Sequence, residues 1–400
     1  MLNKNNFFKN FSFNSKKFSS NLKKTKKVFK DFKIDLNNHQ VPLLQSFKKE
    51  YDFDFSSNTI KKFSKYKTIV VIGMGGSILG AKSIYSFFKK KIKKKVFFFD
   101  DLDENQHLKF KNLKNYCVVV ISKSGNTLET ITNFELIFSK HLKKNKLIFI
   151  TEIKDNVLMS LAKKLNAEII EHKDFIGGRY SVLSEAGMFP TALMGLDIKK
   201  FKGLQILIKD KNFVSSLIHN VASIYTFMNQ GKNNSVILNY DSDLIELSNW
   251  YQQLTSESLG KNGKGITTMM TSAPNGNHSV LQLYLDGPKD KFFTFFNSSN
   301  KFTKNKISNK IITENMKFLK NKNLRSIITS QCNATKNIFK LKNIPFRYFS
   351  FNKNNEFELG KIFTFFVLET ILLARLMNVN AFDQPAVEQV KVETKNIMSK

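Results

Sequence analysis

The sequence predicts an α/β protein built on parallel β-sheets with helices on both faces. Between residues 68 and 170, short apolar runs alternate with helical stretches at regular spacing. This alternation is typical of βαβ units, in which a helix returns the chain to the next parallel strand. A less regular α/β region follows, so we expect two stacked α/β domains that join near Asp174–Ala192.

The elements follow from runs of Val, Ile and Phe, which predict strands, and from 3.6-residue periodicity, which predicts helices. The first region contains strands at Thr68–Ile72, Val96–Phe99, Tyr116–Ile121, Leu147–Ile150 and Glu168–Ile170, with helices at Ser77–Lys90, Asp103–Lys114, Thr127–Lys140 and Asp155–Leu165. The second contains strands at Ser235–Tyr240, Gly265–Met270, Phe292–Asn297, Ser326–Thr329 and Arg347–Ser350. Its helices are Ser181–Leu196, Phe213–Gly231, one through Trp250 to Ser258, Glu358–Met377 and one that Pro385 begins.

The N-terminal segment is rich in Lys, Phe, Asn and Ser, and its first acidic residue is Asp31. Transit peptides favour arginine, but the first arginine of the chain is Arg179, far beyond this segment. We therefore predict a basic amphipathic segment packed on the body. The expected division is an N-terminal helical segment over residues 1–67, a first α/β domain over 68–190, and a second over 191–400 with C-terminal helices.

The net charge of +32 does not predict nucleic-acid binding. Only four of the 64 basic residues are arginine, although arginine is the usual donor to bases. The lysines instead reflect a bias of the whole chain. Where arginine does occur, at 179, 325, 347 and 375, we expect a specific need for its planar donor.

Neither the apolar runs nor the cysteines indicate a membrane or an oxidising compartment. No run reaches the about 18 residues that span a bilayer, and the nearest candidate, Ile362–Ala374, carries Glu369. Cys117 and Cys332 lie far apart without metal-type spacing, which favours free thiols. We therefore expect a cytoplasmic protein without a membrane partner.

Two loops follow predicted strands of the first domain and favour an anion. Gly73–Gly80 places glycines directly after a strand, where the backbone can approach a phosphate, and Ser122–Thr130 adds hydroxyls before a helix. Because parallel strands end at one sheet edge, the two loops can converge. A nicotinamide dinucleotide is the rival ligand, with Asp100 as the ribose-binding carboxylate, but its fingerprint needs glycine where the chain has Ile78. An ordinary helix cap also fits the second loop.

Three further segments carry groups suited to catalysis. Arg179 follows two glycines and could stabilise a negatively charged oxygen, with a surface arginine in a domain-joining turn as the less favoured alternative. Glu257 and His278 offer a carboxylate and an imidazole for proton transfer, yet each taken singly is more often structural. Gln384 lies at the start of the last predicted helix and Lys391 two turns later, and both could reach the same pocket or merely cap that helix.

Taken together, five segments resemble glucose-6-phosphate isomerases, also called phosphoglucose isomerases. The segments are Gly73–Gly80, Ser122–Thr130, Gly177–Ser181, Glu257–Lys261 and Phe382–Lys391, in the family's order. The resemblance spans about residues 68–391, and the short chain resembles the compact bacterial forms. It implies two doubly wound parallel-sheet sugar-isomerase (SIS-type) domains, and interconversion of glucose 6-phosphate and fructose 6-phosphate in glycolysis and gluconeogenesis.

The resemblance also implies a role for each matching residue. Glu257 would move a proton between C2 and C1 through a cis-enediolate that Arg179 stabilises, His278 would help open the sugar ring, and Lys391 would assist or hold the substrate. The residues implied in binding the phosphate and sugar are Gly76, Ser77, Ser122, Lys123 through its backbone, Ser124, Thr127 and Gln384. In the family the histidine comes from a partner subunit, which implies a homodimer. Neither a metal nor an organic cofactor is expected.

Two positions depart from the family pattern, and two alternatives stay open. Ala386 stands where glycine is usual and should be tolerated, whereas Glu185 stands where a small residue is usual, with no role that the sequence explains. A bifunctional phosphoglucose/phosphomannose isomerase fits the same residue types. A sugar-phosphate-binding regulator would not need Glu257, His278 and Lys391 together. The isomerase half of glucosamine-6-phosphate synthase is disfavoured, because it would require an amidotransferase domain with an N-terminal cysteine nucleophile, and the first cysteine here is Cys117.

Overall fold

The fold is known from a computed structural model of the chain. It describes residues 6–10, 15–105, 110, 113–141, 146–298, 306–308, 310, 312–351 and 354–400. Within this part, two separate parallel sheets are flanked by helices, which confirms the predicted α/β class.

The first sheet has five parallel strands in the order β2-β1-β3-β4-β5. They are β1 (Thr68–Gly73), β2 (Lys95–Phe99), β3 (Tyr116–Ile121), β4 (Leu147–Thr151) and β5 (Glu168–Glu171). Each lies within one residue of its prediction. The register places Gly73 beside Ile121, so the loops after β1 and β3 begin side by side at the sheet's carboxyl edge.

The helices of the N-terminal half include the three predicted at Ser77–Lys90, Thr127–Lys140 and Asp155–Leu165, each within two residues of its predicted limits. In chain order, the helices of this half are α1 (Ser15–Asn37), α2 (Ser57–Ser64), α3 (Gly76–Phe88), α4 (Leu128–His141), α5 (Val157–Leu165) and α6 (Glu185–Leu193). The helix predicted over Asp103–Lys114 lies partly outside the described residues. The one predicted over Ser181–Leu196 divides into a 3₁₀ helix, Gly178–Leu183, and α6, with Ser184 in extended conformation between them.

The second sheet has four parallel strands in the order β7-β6-β8-β9 within the described residues. They are β6 (Asn234–Asn239), β7 (Thr267–Ser272), β8 (Lys291–Asn297) and β9 (Phe346–Ser350). The remaining helices are α7 (Leu204–Leu207), α8 (Lys211–Met228), α9 (Ile245–Leu259), α10 (Leu281–Asp286), α11 (Leu324–Leu341), α12 (Glu356–Met377) and α13 (Pro385–Met398). Both long C-terminal helices confirm their predictions.

The strand predicted at Ser326–Thr329 is wrong, because these residues lie in the first turns of α11. The β-branched run around Ile327 suggested a strand. The fold instead uses a longer pattern, in which Cys332, Thr335 and Phe339 are buried at helical spacing. The Asn323 side chain accepts a hydrogen bond from the Ser326 N–H at 2.7 Å and caps this helix.

Alternating residues of the strands build three apolar layers. In β1, Ile69 and Val71 face the large cluster between the two sheets, whereas Val70 and Ile72 face the outer helices of the first sheet. A third cluster covers the outer face of the second sheet, around Phe293 and Phe295. Because successive side chains of a strand point to opposite faces, apolar residues are buried on both faces of each sheet.

The basic N-terminal segment packs on the body, as predicted. In α1, the Asn21 amide donates a hydrogen bond to the Thr226 hydroxyl of α8 at 2.9 Å, and Phe32 is fully buried. Asp35 near its end pairs with Arg375 of α12 at 2.6 Å. None of the helices in the described part of the chain has the length and apolar character needed to cross a bilayer.

Both cysteines are free and buried, which agrees with the thiol prediction. Burial raises the pKa of Cys117 to about 12 and that of Cys332 to about 11. The thiolate, which is the reactive form, is therefore scarce at neutral pH.

Candidate active site

The glycine turn after β1 packs directly against the segment that carries Arg179. A Cβ atom added to Gly76 would lie 2.2 Å from the Gly178 carbonyl carbon and 2.4 Å from the Arg179 nitrogen. Only glycine allows this approach of two backbones. Gly75 has a φ of 51°, and a Cβ there would lie 2.8 Å from the Gln253 amide nitrogen. The turn is thus shaped by two distant segments, the 3₁₀ helix and α9.

The Arg179 guanidinium is buried, and all five of its N–H donors have acceptors. Nε donates to the Ser258 hydroxyl at 2.8 Å, and Nη2 donates to the carbonyls of Ala381 and Asp383 at 2.6 and 3.0 Å. Nη1 donates to Glu257 Oε2 at 3.0 Å and to Gln384 Oε1 at 2.7 Å. This single side chain connects three sequence segments of the predicted site, and a planar donor is needed for it.

The Glu257 carboxylate lies in the last turn of α9 with one partner on each oxygen. Oε2 accepts from Arg179, and Oε1 accepts a 2.8 Å hydrogen bond from the Gln253 amide. The side chain is 29 % exposed, so it reaches solvent-filled space while remaining fixed. A carboxylate held in this way can take and return a proton at one place.

Sequence reasoning missed Gln253. Its spacing of four residues before Glu257 on one helix was the available signal, since such side chains are neighbours. The Gln253 Oε1 atom is buried without a hydrogen-bond partner among the described residues. The Gln253 amide therefore donates to the carboxylate through its nitrogen, and its oxygen can accept a hydrogen bond from a further polar group in the site.

A cavity of about 580 Å³ lies beside these groups and is walled by two segments. One wall is the end of α9 with the following turn, and the other is the start of α13 with the residues before it. The lining residues are Ser256, Glu257, Gly260, Lys261, Asn262, Asn380, Asp383, Gln384, Pro385, Ala386, Val387 and Gln389. A space of this size can hold a small phosphorylated sugar.

The loop after β3 forms a hydroxyl-lined turn. The Ser122 and Thr127 hydroxyls lie 2.8 Å apart, and the Asn126 N–H donates to the Ser124 hydroxyl at 3.3 Å. Gly125 has a φ of 68°, and a Cβ there would come within 1.9 Å of Asn156 Oδ1. The helix α4 begins at Leu128, one residue later than predicted. Both an anion site and a helix cap need this geometry.

The other implied residues lie at different distances from this centre. Lys123 donates through its amine to the Asp174 carbonyl at 2.5 Å and lies 3.6 Å from Glu152. Lys391 is exposed and donates to Glu388 at 2.5 Å. His278 ends a 3₁₀ turn after β7, and among the described residues it does not line the cavity beside Glu257. One chain therefore brings together Arg179, Glu257 and Gln384, but neither His278 nor Lys391.

Glu185, unexplained by the sequence, is a buried acceptor at the start of α6. Both of its carboxylate oxygens accept from the Tyr51 hydroxyl at 2.9 Å, and one also accepts from the Asp54 N–H at 3.3 Å. Burial raises the pKa of this carboxyl, and the hydrogen bonds from Tyr51 and Asp54 act in the opposite direction. The large side chain therefore fastens the segment before α2 to the body.

Two observations concern ligands other than a sugar phosphate. Asp100, the carboxylate that a dinucleotide ribose would need, pairs with Lys82 at 2.5 Å. Across the described part of the chain, no three His, Cys, Asp or Glu side chains are grouped so that they could hold a metal ion.

Comparisons with known proteins show which family the chain is similar to. The family model described as phosphoglucose isomerase matches residues 43–400. A glucose-6-phosphate isomerase of Methanocaldococcus jannaschii is 32 % identical over 357 residues, which cover 85 % of this chain and 86 % of that protein. One of Acholeplasma laidlawii is 33 % identical over 356 residues, with 83 % of each chain covered.

Solved structures show the same fold. A hypothetical protein of Thermus thermophilus superposes with a TM-score of 0.83 at 22 % identity, covering 96 % of this chain and 97 % of that one. A glucose-6-phosphate isomerase of Chlamydia trachomatis superposes with a TM-score of 0.71 at 19 % identity, covering 86 % and 72 %.

Proposed function

Because the chain belongs to the phosphoglucose isomerase family, it is an isomerase of glucose 6-phosphate and fructose 6-phosphate, and we propose that Glu257 is its proton-transferring base. The observation that carries this proposal is the pairing of Glu257 with Arg179 beside a sugar-sized cavity. A carboxylate next to a buried cation combines the two functions that the reaction needs.

The chemistry requires one base that serves two adjacent carbons. Glu257 takes the proton from C2 of the open-chain aldose, and the electron pair passes into a cis-enediolate. A proton moves from O2 to O1, and Glu257 returns its proton to C1 to give the ketose. Arg179 stabilises the negative charge that develops on the oxygens. All N–H donors of Arg179 are occupied in the free site, so its positive charge acts on the substrate without a direct hydrogen bond. A direct hydrogen bond from Nη1 to the substrate would require Glu257 or Gln384 to move away from that nitrogen.

The phosphate end of the substrate is assigned to the carboxyl edge of the first sheet. Ser77 lies in the first turn of α3, which begins beside the Ser122–Thr127 turn, and the N-terminus of a helix favours an anion. Gly76, the first residue of α3, also packs against the backbone of the Arg179 segment. The phosphate would thus be anchored at one end while the reacting carbons lie near Glu257.

We also propose a homodimer that completes each site with the partner's histidine. The separation of His278 from the cavity supports this assembly. So does α13, in which none of the fourteen residues is buried, although Val390, Val392 and Ile397 are apolar. This helix continues from residues that line the cavity, so a second copy covering it would also approach the site. A cytoplasmic location stays a prediction.

The decisive test of the base is Glu257→Gln, because glutamine keeps the shape but takes no proton. We expect at least a thousandfold loss of kcat in an assay coupled to glucose 6-phosphate oxidation, with the fold intact by circular dichroism. Glu246→Gln, at the other end of α9, is the matched control and should keep full activity. Near-parental turnover of Glu257→Gln would refute the proposal. The same assay run with mannose 6-phosphate tests the bifunctional alternative.

Mixing two inactive variants tests the shared site. In a heterodimer of Glu257→Gln with His278→Ala, one of the two sites would combine an intact glutamate with an intact histidine. Random exchange of subunits should therefore restore about a quarter of the parental activity, because half of the dimers are mixed and half of their sites are complete. No recovery after confirmed subunit exchange would contradict the shared site.

A further inference from the structure

The turn that follows α9 carries two lysines, and the amine of each donates hydrogen bonds to carbonyl groups at the end of a different helix. Lys261 and Lys264 face each other across a short antiparallel bridge, with Asn262 and Gly263 at positive φ between them. The Lys264 amine donates to the Met377 carbonyl at 2.8 Å and so caps α12. The Lys261 amine caps α9, the helix that carries Glu257.

The Lys261 ammonium has two hydrogen-bond acceptors and one ion-pair partner. It donates to the carbonyls of Glu257 and Ser258 at 2.7 and 2.9 Å, and it lies 3.5 Å from Asp383 Oδ1. Its side chain is only 9 % exposed. Both carbonyls belong to the last turn of α9, where carbonyl groups lack intrahelical partners.

The Asp383 contact reaches the opposite wall of the cavity. Asp383 directly precedes Gln384, and its own carbonyl accepts from Arg179 at 3.0 Å. Its second carboxylate oxygen accepts from the Asn380 amide at 2.9 Å, which stiffens the segment. Lys261 therefore joins the backbone of the proposed base to the segment that presents Gln384.

We infer that Lys261 is a positioning residue, which fixes the last turn of α9 and the Asp383–Gln384 segment relative to each other. This inference rests on the proposed role of Glu257. Without the ammonium, the last turn of α9 loses its cap and the two walls lose a direct link. Displacing a reacting group by about 1 Å can lower the rate of the chemical step about a hundredfold. Substrate binding should change little, because the phosphate is anchored at a different part of the site.

The test compares Lys261→Met with Lys264→Met, its matched control in the same turn. Both variants lose an ammonium and a helix cap, but only Lys261→Met affects the walls of the cavity. We expect Lys261→Met to lower kcat ten- to a hundredfold with KM within about twofold of the parent, and Lys264→Met to leave both unchanged. Comparable thermal midpoints of the two variants would show that the difference is not one of stability.

Asp383→Asn provides a second measurement if Lys261→Met does not fold. It removes the ion pair and leaves both carbonyl contacts, so a smaller loss of kcat, about three- to tenfold, is expected at unchanged KM. Parental kcat in both variants, or equal losses in the two lysine variants, would overturn the inference. Measuring Glu257→Gln in parallel distinguishes a failure of this inference from a failure of the proposed base, because an active Glu257→Gln variant would refute the role of Glu257 itself.

Discussion

The most quantitative prediction concerns Lys202, which is fully buried at the end of the 3₁₀ helix Ile198–Phe201. Its amine lies 4.2 Å from the centre of the Tyr51 ring and 3.9 Å from that of Phe53, and it has no hydrogen-bond acceptor among the described residues. Burial lowers the pKa of Lys202 from 10.5 to about 7, and the nearby Glu185 acts in the opposite direction. The perturbation is Lys202→Met, which keeps the length and removes the proton-binding site.

The direction of the pH effect follows from which state binds the proton. Between pH 7 and pH 10.5, the unfolded chain protonates Lys202 and the folded chain does not, so the free energy of unfolding rises with pH. The slope from this group approaches about 1.4 kcal/mol per pH unit, which gives about 2 kcal/mol between pH 7 and pH 9. Below pH 7, both states carry the proton and this dependence disappears.

Urea unfolding at pH 7, 8 and 9 measures the effect. The stability of the parent relative to Lys202→Met should increase by about 2 kcal/mol over this interval, while Lys200→Met, an exposed control from the same turn, should follow the parent. Equal pH dependence of the parent and Lys202→Met would refute the reasoning. The ammonium would then remain charged between the two rings, because cation–π attraction outweighs its desolvation.

Two further changes probe other parts of the fold. Glu369→Gln leaves the buried Arg347 guanidinium without its carboxylate, and it should lower the free energy of urea unfolding by about 3 kcal/mol or more; a loss below about 1 kcal/mol would contradict this. Gly125→Ala forces a Cβ atom toward Asn156 at positive φ, and it should raise KM at least tenfold with little change in kcat. Gly195→Ala, also at positive φ but in open space, is the matched control. Equal KM values in the two alanine variants would place the phosphate elsewhere.

Much of the fold was predictable because its signals are local. Each strand of the first sheet is a short apolar run ended by polar residues, and the observed limits of β3 match the prediction at both ends. The prediction failed at Ser326–Thr329, where a local β-branched run lies inside a helix that is stabilised by the burial of Cys332 and Phe339. The β-strand propensity of a few residues was overridden there by the burial of one face of an eighteen-residue helix. The division of the chain near residue 190 stays a prediction.

The candidate site was predictable in its chemistry and only partly in its geometry. All four of the scarce arginines pair with a carboxylate, at Glu257, Asp241, Glu369 and Asp35. Two of them, Arg179 and Arg347, also donate from Nε, Nη1 and Nη2 together, as the predicted need for a planar donor requires. Which carboxylate each arginine meets is a property of the folded chain.

By itself, the sequence determined the α/β class, the glycine and hydroxyl turns at the ends of β1 and β3, and the residue types of the site, because these depend on neighbours along the chain. The tertiary structure alone decided that Arg179 binds Glu257, that Lys261 joins two walls of the cavity, and that Glu185 binds Tyr51. The last of these pairs is separated by 134 positions. Contacts at such separations form only when the whole core has packed, so no local pattern reveals them.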